Sequence, residues 1–255
     1  MALLYGRIAA VALPLLLIVW NADAAEGQGA LLFGYRLHQG EESQFYGGYG
    51  QHLEWHRLHE DSLVWYGWQV VTGDRLGLFV DGTFGQPFLA IDQRVDPAGD
   101  AADFAATAGP HADAIFRMAY TLRRALGTAI PLEQGRPTSF LEVISYEVRP
   151  GGETRFENVV RRATEMAAVG TDAPPFTWYQ LVDGGRHSTY ALMIHREGFA
   201  GWDSARADLA SLIANVGDVP TRDSLASMMF EVVSDVRSEL WRYLPGSSLI
   251  PESFQ

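Results

Sequence analysis

The sequence predicts an α+β protein made of two tandem halves with the same order of strands and helices. Three observations carry this reading. The 255 residues are 47% hydrophobic, 20% charged and 12% aromatic, a globular composition. The chain repeats itself at an offset of 111 residues. Each copy then passes through strand-like and helix-like periodicity in the same order.

The repeat is visible residue by residue. Tyr35-Arg36-Leu37-His38-Gln39-Gly40-Glu41 lies over Tyr146-Glu147-Val148-Arg149-Pro150-Gly151-Gly152, and Phe45 lies over Phe156. Trp68-Gln69-Val70-Val71 lies over Tyr179-Gln180-Leu181-Val182 without a gap, and Phe88 and Asp92 match Phe199 and Asp203. A three-residue shift then aligns Phe116, Arg123, Leu126 and Pro131 with Phe230, Arg237, Leu240 and Pro245. The halves are expected to span 25–135 and 136–255.

Each half opens with a strand, Ala30–His38 in the first and Ser139–Val148 in the second. A Gly-containing turn leads to a helix. In the second half Thr154 is the expected N-cap, and Phe156, Val159, Val160, Ala163, Met166 and Ala167 form one apolar stripe. In the first half the helix is expected from about Ser43 to His59, with its start weakened by Gly47, Gly48 and Gly50. Two strands follow, Leu63–Thr72 and Leu76–Thr83, joined by the turn pair Gly73-Asp74. Their counterparts are Phe176–Val182 and Ser188–His195 around Gly184-Gly185. A second helical region is expected within Ala114–Leu126 and within Leu225–Tyr243, followed by short extended tails at Ile130-Pro131 and Leu244-Pro245. Strand, helix, hairpin, helix and strand is a ferredoxin-like order. One such sheet leaves a face uncovered, and a tandem copy can cover it within one chain.

Charge and leader narrow the function. Lys and Arg number 19 against 31 Asp and Glu, a formal charge of −12 that repels phosphate backbones and argues against nucleic-acid partners. There is no cysteine, which removes disulfides, thiolate metal sites and cysteine nucleophiles. Residues 1–24 read as a secretory signal: Arg7, then the uncharged run Ile8 to Trp20, then Ala22-Asp23-Ala24. The run is short for a bilayer span, which needs about 20 apolar residues. Cleavage near Ala24 or Ala25, export to a periplasm or to the outside, and no membrane association afterwards are expected.

The segments Tyr146-Glu147-Val148-Arg149-Pro150-Gly151, Trp178-Tyr179-Gln180-Leu181 and Tyr190-Ala191-Leu192 give the chain a family likeness. It resembles a fused tandem form of the dimeric α/β-barrel superfamily, in the NIPSNAP-like and antibiotic-monooxygenase-like group. The resemblance implies an intramolecular pseudo-dimeric barrel with a pocket between helix and sheet. It implies no reaction, because that superfamily includes cofactor-free oxygenases, haem proteins and modules without chemistry. No obligate homodimer is required if the fusion already covers both sheets.

Candidate site residues follow from asymmetry between the halves. His52 and His56 share a helical face, and His59 is three residues further on. Their counterparts are Ala163, Ala167 and Gly170. Two imidazoles at this spacing can reach one metal ion or haem; they can also line a polar pocket, or be surface or hydrogen-bonded core histidines, the reading that residue statistics favour. Asp81 stands where the other half has Leu192. His52, His56 and Asp81 are therefore the candidate catalytic residues, with His52 and His56 the candidate metal ligands. His59, Trp65, Tyr66 and Trp68 are candidate ligand-binding residues, the aromatics as a wall for an apolar ligand. The expected function is binding of a small molecule. The alternatives are an oxidoreductase, cofactor-free or haem- or metal-dependent, and an interaction domain without a pocket.

Overall fold

A computed structural model describes residues 28–167, 173–203 and 206–252; the expected signal segment lies outside them. Eight antiparallel strands close into a barrel. They are β1 (Gln28–Leu37), β2 (Tyr66–Thr72), β3 (Phe79–Pro87), β4 (Ala112–Leu122), β5 (Phe140–Val148), β6 (Phe176–Asp183), β7 (Thr189–Arg196) and β8 (Val233–Tyr243). The order around the barrel is β1-β3-β2-β8-β5-β7-β6-β4. Within each set of four, the fourth strand flanks the first, then come the third and the second. The sets meet through β2 with β8 and β4 with β6.

The register follows the sequence repeat where strands one and three pair. Phe33 lies opposite Asp81, and Ile144, 111 residues on, lies opposite Leu192. The last strands depart from it. Phe33 faces Arg117 on β4, whereas Ile144 faces Ser238 on β8, an offset of 121. The expected match of Phe116 with Phe230 is therefore corrected: Phe116 is on β4 and Phe230 on a helix.

Helices cover the outside. In the first half these are α1 (Glu42–Leu58), the short α2 (Phe88–Asp92) and α3 (Pro97–Ala106). In the second they are α4 (Glu153–Ala167), α5 (Leu209–Ala214) and α6 (Val219–Val232). α4 begins at Glu153, so Thr154 is its second residue, not its cap. The helix expected at Ala114–Leu126 is corrected by strand β4; the one expected through Leu225–Tyr243 holds as far as Val232, within α6, and is corrected from Val233 onward by β8. Phe116, Met118, Tyr120 and Leu122 alternate toward the barrel interior, a period of two that pairing with β1 and β6 enforces over local propensity. The expected extended tails after them hold short 3-10 turns, Leu132–Gln134 and Pro245–Ser247. Among the described residues, no helix is long and apolar enough to cross a membrane.

Three apolar clusters result. The barrel interior is a packed core around Trp68, Phe84, Tyr179 and Trp241. A second cluster joins α4, α5 and α6 to the outer face of the second-half strands, around Phe156 and Trp178. A third, smaller cluster joins α1 to β1 and β3 around Phe45, Tyr49 and Phe79. The third cluster gives way to polar groups toward the C-terminal end of α1.

Candidate functional site

α1 presents Phe45, Tyr49, His52 and His56 inward at spacings of four, three and four, so its buried face turns from apolar to polar along its length. Opposite lie Phe33 and Tyr35 of β1, Asp81 of β3 and Trp65, just before β2. From the side come Asp100 and Phe104 of α3 and Arg94 just before it. Together they enclose a cavity of about 210 Å³. Arg117 on β4 stands at its edge with its guanidinium over the Phe33 ring, 5.1 Å from the centroid.

Both histidines are fixed by carboxylates. His52 Nδ1 lies 2.8 Å from Asp103 Oδ2, and His56 Nδ1 lies 2.8 Å from Asp61 Oδ2. Asp61 is itself held by the indole N–H of Trp65 at 2.9 Å and the backbone N–H of Leu63 at 3.0 Å. The two Nε2 atoms are 3.3 Å apart. Asp100 Oδ1 lies 3.3 Å from His52 Nε2 and 3.4 Å from His56 Nε2. Arg94 Nε is 3.5 Å from the other Asp100 oxygen.

Electrostatics follow the geometry. Burial opposes ionisation of Asp61 and Asp100. The hydrogen bonds of His56, Trp65 and Leu63 outweigh it at Asp61, and His52, His56 and Arg94 outweigh it at Asp100, so both carboxyls stay below their ordinary range. Burial also lowers His52, but Asp100 and Asp103 outweigh that and raise it. Asp81 is different. Burial dominates and pushes its carboxyl up to about 7. Its Oδ2 accepts the Tyr49 hydroxyl at 2.9 Å, while Oδ1 is buried without a hydrogen-bond partner.

Of the sequence candidates, the structure brings His52, His56, Asp81 and Trp65 to one cavity. It places the others elsewhere. His59 is exposed at the end of α1 and stacks on Trp55, their centroids 4.0 Å apart, because the helix face has rotated outward by that residue. Tyr66 and Trp68 lie on the opposite face from Trp65, inside the barrel, where strand alternation sends them. Sequence reasoning missed Tyr49, Asp61, Arg94, Asp100 and Asp103. Tyr49 was readable as the residue one turn before His52. Asp96-Pro97 was readable as a helix start, and Asp100 and Asp103 share a face of the helix it begins.

Among the described residues, the second half has no such arrangement. Its residues 111 positions on, Ile144, Val160, Ala163 and Leu192, are buried in the apolar cluster under α4.

No protein-family model matches the chain, and no curated protein sequence matches it. Solved structures do. A protein from Lactobacillus acidophilus NCFM, provisionally named a monooxygenase, is 12% identical with a TM-score of 0.52, over 89% of this chain and 100% of its own. A chlorite dismutase mutant from Candidatus Nitrospira defluvii is 9% identical with a TM-score of 0.56, over 87% of this chain and 93% of its own. At such identities the likeness is one of fold. The chain is an α+β protein whose fold is that of dimeric α/β-barrel proteins.

Proposed function

We propose that the chain is an exported protein that binds a small molecule in the cavity between α1, α3 and the outer face of β1 and β3. The observation that carries this is Asp81. A carboxyl oxygen without a partner, fully buried, destabilises a fold unless something binds it. The other half puts Leu192 at the matching position and fills the space. The test is mass spectrometry of ligand retained by protein purified from its native compartment. Asp81→Leu, which installs the residue of the other half, is expected to remove the retained ligand while near-UV circular dichroism stays unchanged. Retention unchanged by Asp81→Leu overturns the reading.

A second reading, an oxidoreductase, is favoured by the names of the fold neighbours and by acid–base groups meeting in one cavity. Haem does not fit that cavity. About 210 Å³ is below the roughly 300–1,000 Å³ that holds a drug-sized ligand. A porphyrin needs more, and Asp81 and Asp100 would place carboxylates against its apolar face.

The fused-pair reading of the barrel rests on the matching order and register of the two four-stranded sets. It predicts a monomer by light scattering. Export predicts an N-terminus at Ala25 or Glu26 in mature protein.

A further inference from the structure

We propose that His52, His56 and Asp100 form a zinc-type divalent metal site whose fourth position opens into the cavity. The proposal deepens the pocket reading above and rests on it for the ligand, but not for the metal.

The donor geometry is specific. Two imidazole Nε2 atoms and one carboxylate oxygen form a nearly equilateral triangle of 3.3, 3.3 and 3.4 Å. Among the described residues, this is the group of His and carboxylate donors that could close on one ion. Zinc–ligand bonds of about 2.0–2.1 Å at tetrahedral angles separate donors by about 3.3–3.4 Å. An octahedral facial arrangement at similar bond lengths needs about 3.0 Å. The triangle fits the tetrahedral ion, with one corner left over.

The ring orientations suit a cation. The carboxylates of Asp103 and Asp61 sit on the Nδ1 side of His52 and His56, an arrangement that in a neutral imidazole puts the hydrogen on Nδ1 and leaves Nε2 as the acceptor. Both Nε2 atoms then present lone pairs toward each other and toward Asp100 Oδ1. Three electron-rich atoms at 3.3–3.4 Å, two of them on nearly inaccessible histidines, are held together by a positive charge among them, a proton or a metal ion, and it is the three-way spacing that matches the ion. Carboxylate–histidine pairs of this kind are also the usual outer shell of metal-bound imidazole, where they fix ring orientation and raise basicity. Arg94, close to Asp100 Oδ2, leaves Oδ1 for the ion. The fourth position would take water or an oxygen donor of the bound molecule, across the cavity from Asp81.

The experiment uses the full mature chain, stripped with chelator and titrated with Co²⁺ and then Zn²⁺. One Co²⁺ per chain is expected, with the intense visible bands of four-coordinate cobalt, displaced by Zn²⁺. His56→Ala and the near-isosteric Asp100→Asn are expected to weaken binding at least 100-fold, and Asp103→Asn by 10–100-fold. His59→Ala, on the same helix but exposed, should leave it unchanged. Near-UV circular dichroism checks that each variant is folded, and Asp100→Asn decides if His56→Ala is not. No stoichiometric binding overturns the proposal and leaves a shared proton among the three groups. So does binding that survives Asp100→Asn, or that follows the half-buried His38 and His111 instead. Co²⁺ binding without any retained organic ligand keeps the metal site and removes the pocket reading; a retained ligand without metal binding does the reverse.

Discussion

The Tyr49 hydroxyl donates to Asp81 Oδ2 at 2.9 Å, a buried hydrogen bond that adds to the ring packing of α1 on β3, while Asp81 Oδ1 is buried without a partner. One hydrogen bond does not offset the burial of a full charge. Burial raises the Asp81 carboxyl to about 7, above its unfolded value near 4, so the folded chain holds this proton more firmly than the unfolded chain. The resulting stability is complete below about pH 4 and is lost as pH rises to about 7. Asp81→Asn, neutral throughout, should therefore gain on the parent between pH 4 and pH 8, by on the order of 3–4 kcal/mol at most. Urea unfolding at both pH values, with chelator present, measures it. A difference flat in pH would contradict the assignment.

His195 on β7 should show the opposite slope. It is buried, its Nε2 has no partner, and its Nδ1 has only the Thr138 hydroxyl at 3.5 Å. Burial lowers its pKa to about 4, below the unfolded value near 6.5. The unfolded chain binds the extra proton, so this contribution is present above about pH 6.5 and is lost as pH falls to about 4. The full span is about 3 kcal/mol. His195→Gln should flatten the acid limb of the stability profile between pH 6.5 and 4, whatever it does to stability at pH 8.

These two residues also mark how much the sequence discloses. Period-two and period-3.6 patterns reveal β1, β5, both hairpins, α1 and α4, because their apolar and aromatic runs and the turn residues between them are local signals. Comparison of copies picks out His52, His56 and Asp81, since a polar residue facing Leu192 or Ala163 in the other copy breaks the pattern. β4 was hidden because Ala114, Met118, Ala119 and Leu122 favour helix locally, and only pairing on both edges makes them a strand. Asp100 and Asp103 were hidden for another reason. They lie more than 40 residues from the histidines, and their contact exists only once α3 folds back on α1.

Glu142 and Arg196 supply a test in the second half. Arg196 Nε donates to Glu142 Oε2 at 2.5 Å, the Trp202 indole N–H reaches the same oxygen at 3.2 Å, and both charged side chains are nearly inaccessible. Removing one partner strands the other charge. Arg196→Met alone should cost about 3–5 kcal/mol, while Glu142→Leu with Arg196→Met should recover most of it. A double-mutant cycle by urea denaturation reads the coupling. Additive losses would show that the charges are solvated and not paired.

The glycines of α1 connect stability to the site. An added Cβ at Gly48 would sit 2.4 Å from the carbonyl oxygen of Thr107, at the end of α3, whereas one at Gly47 or Gly50 would meet nothing beyond the neighbouring backbone of its own helix. Gly48 therefore sets how closely α1 approaches the helix that carries Asp100 and Asp103. Gly47→Ala and Gly50→Ala should each stabilise by about 0.5–1 kcal/mol, since alanine lowers the entropy of the unfolded chain and suits a helix. Gly48→Ala should instead destabilise by about 1–3 kcal/mol, as overpacking does. It should also push Asp100 away from His52 and His56, so the Co²⁺ titration should weaken for this variant and not for the other two. Equal gains at all three positions would mean that α1 and α3 do not touch there. Weakened Co²⁺ binding at Gly48 alone would tie the metal ligands to that contact.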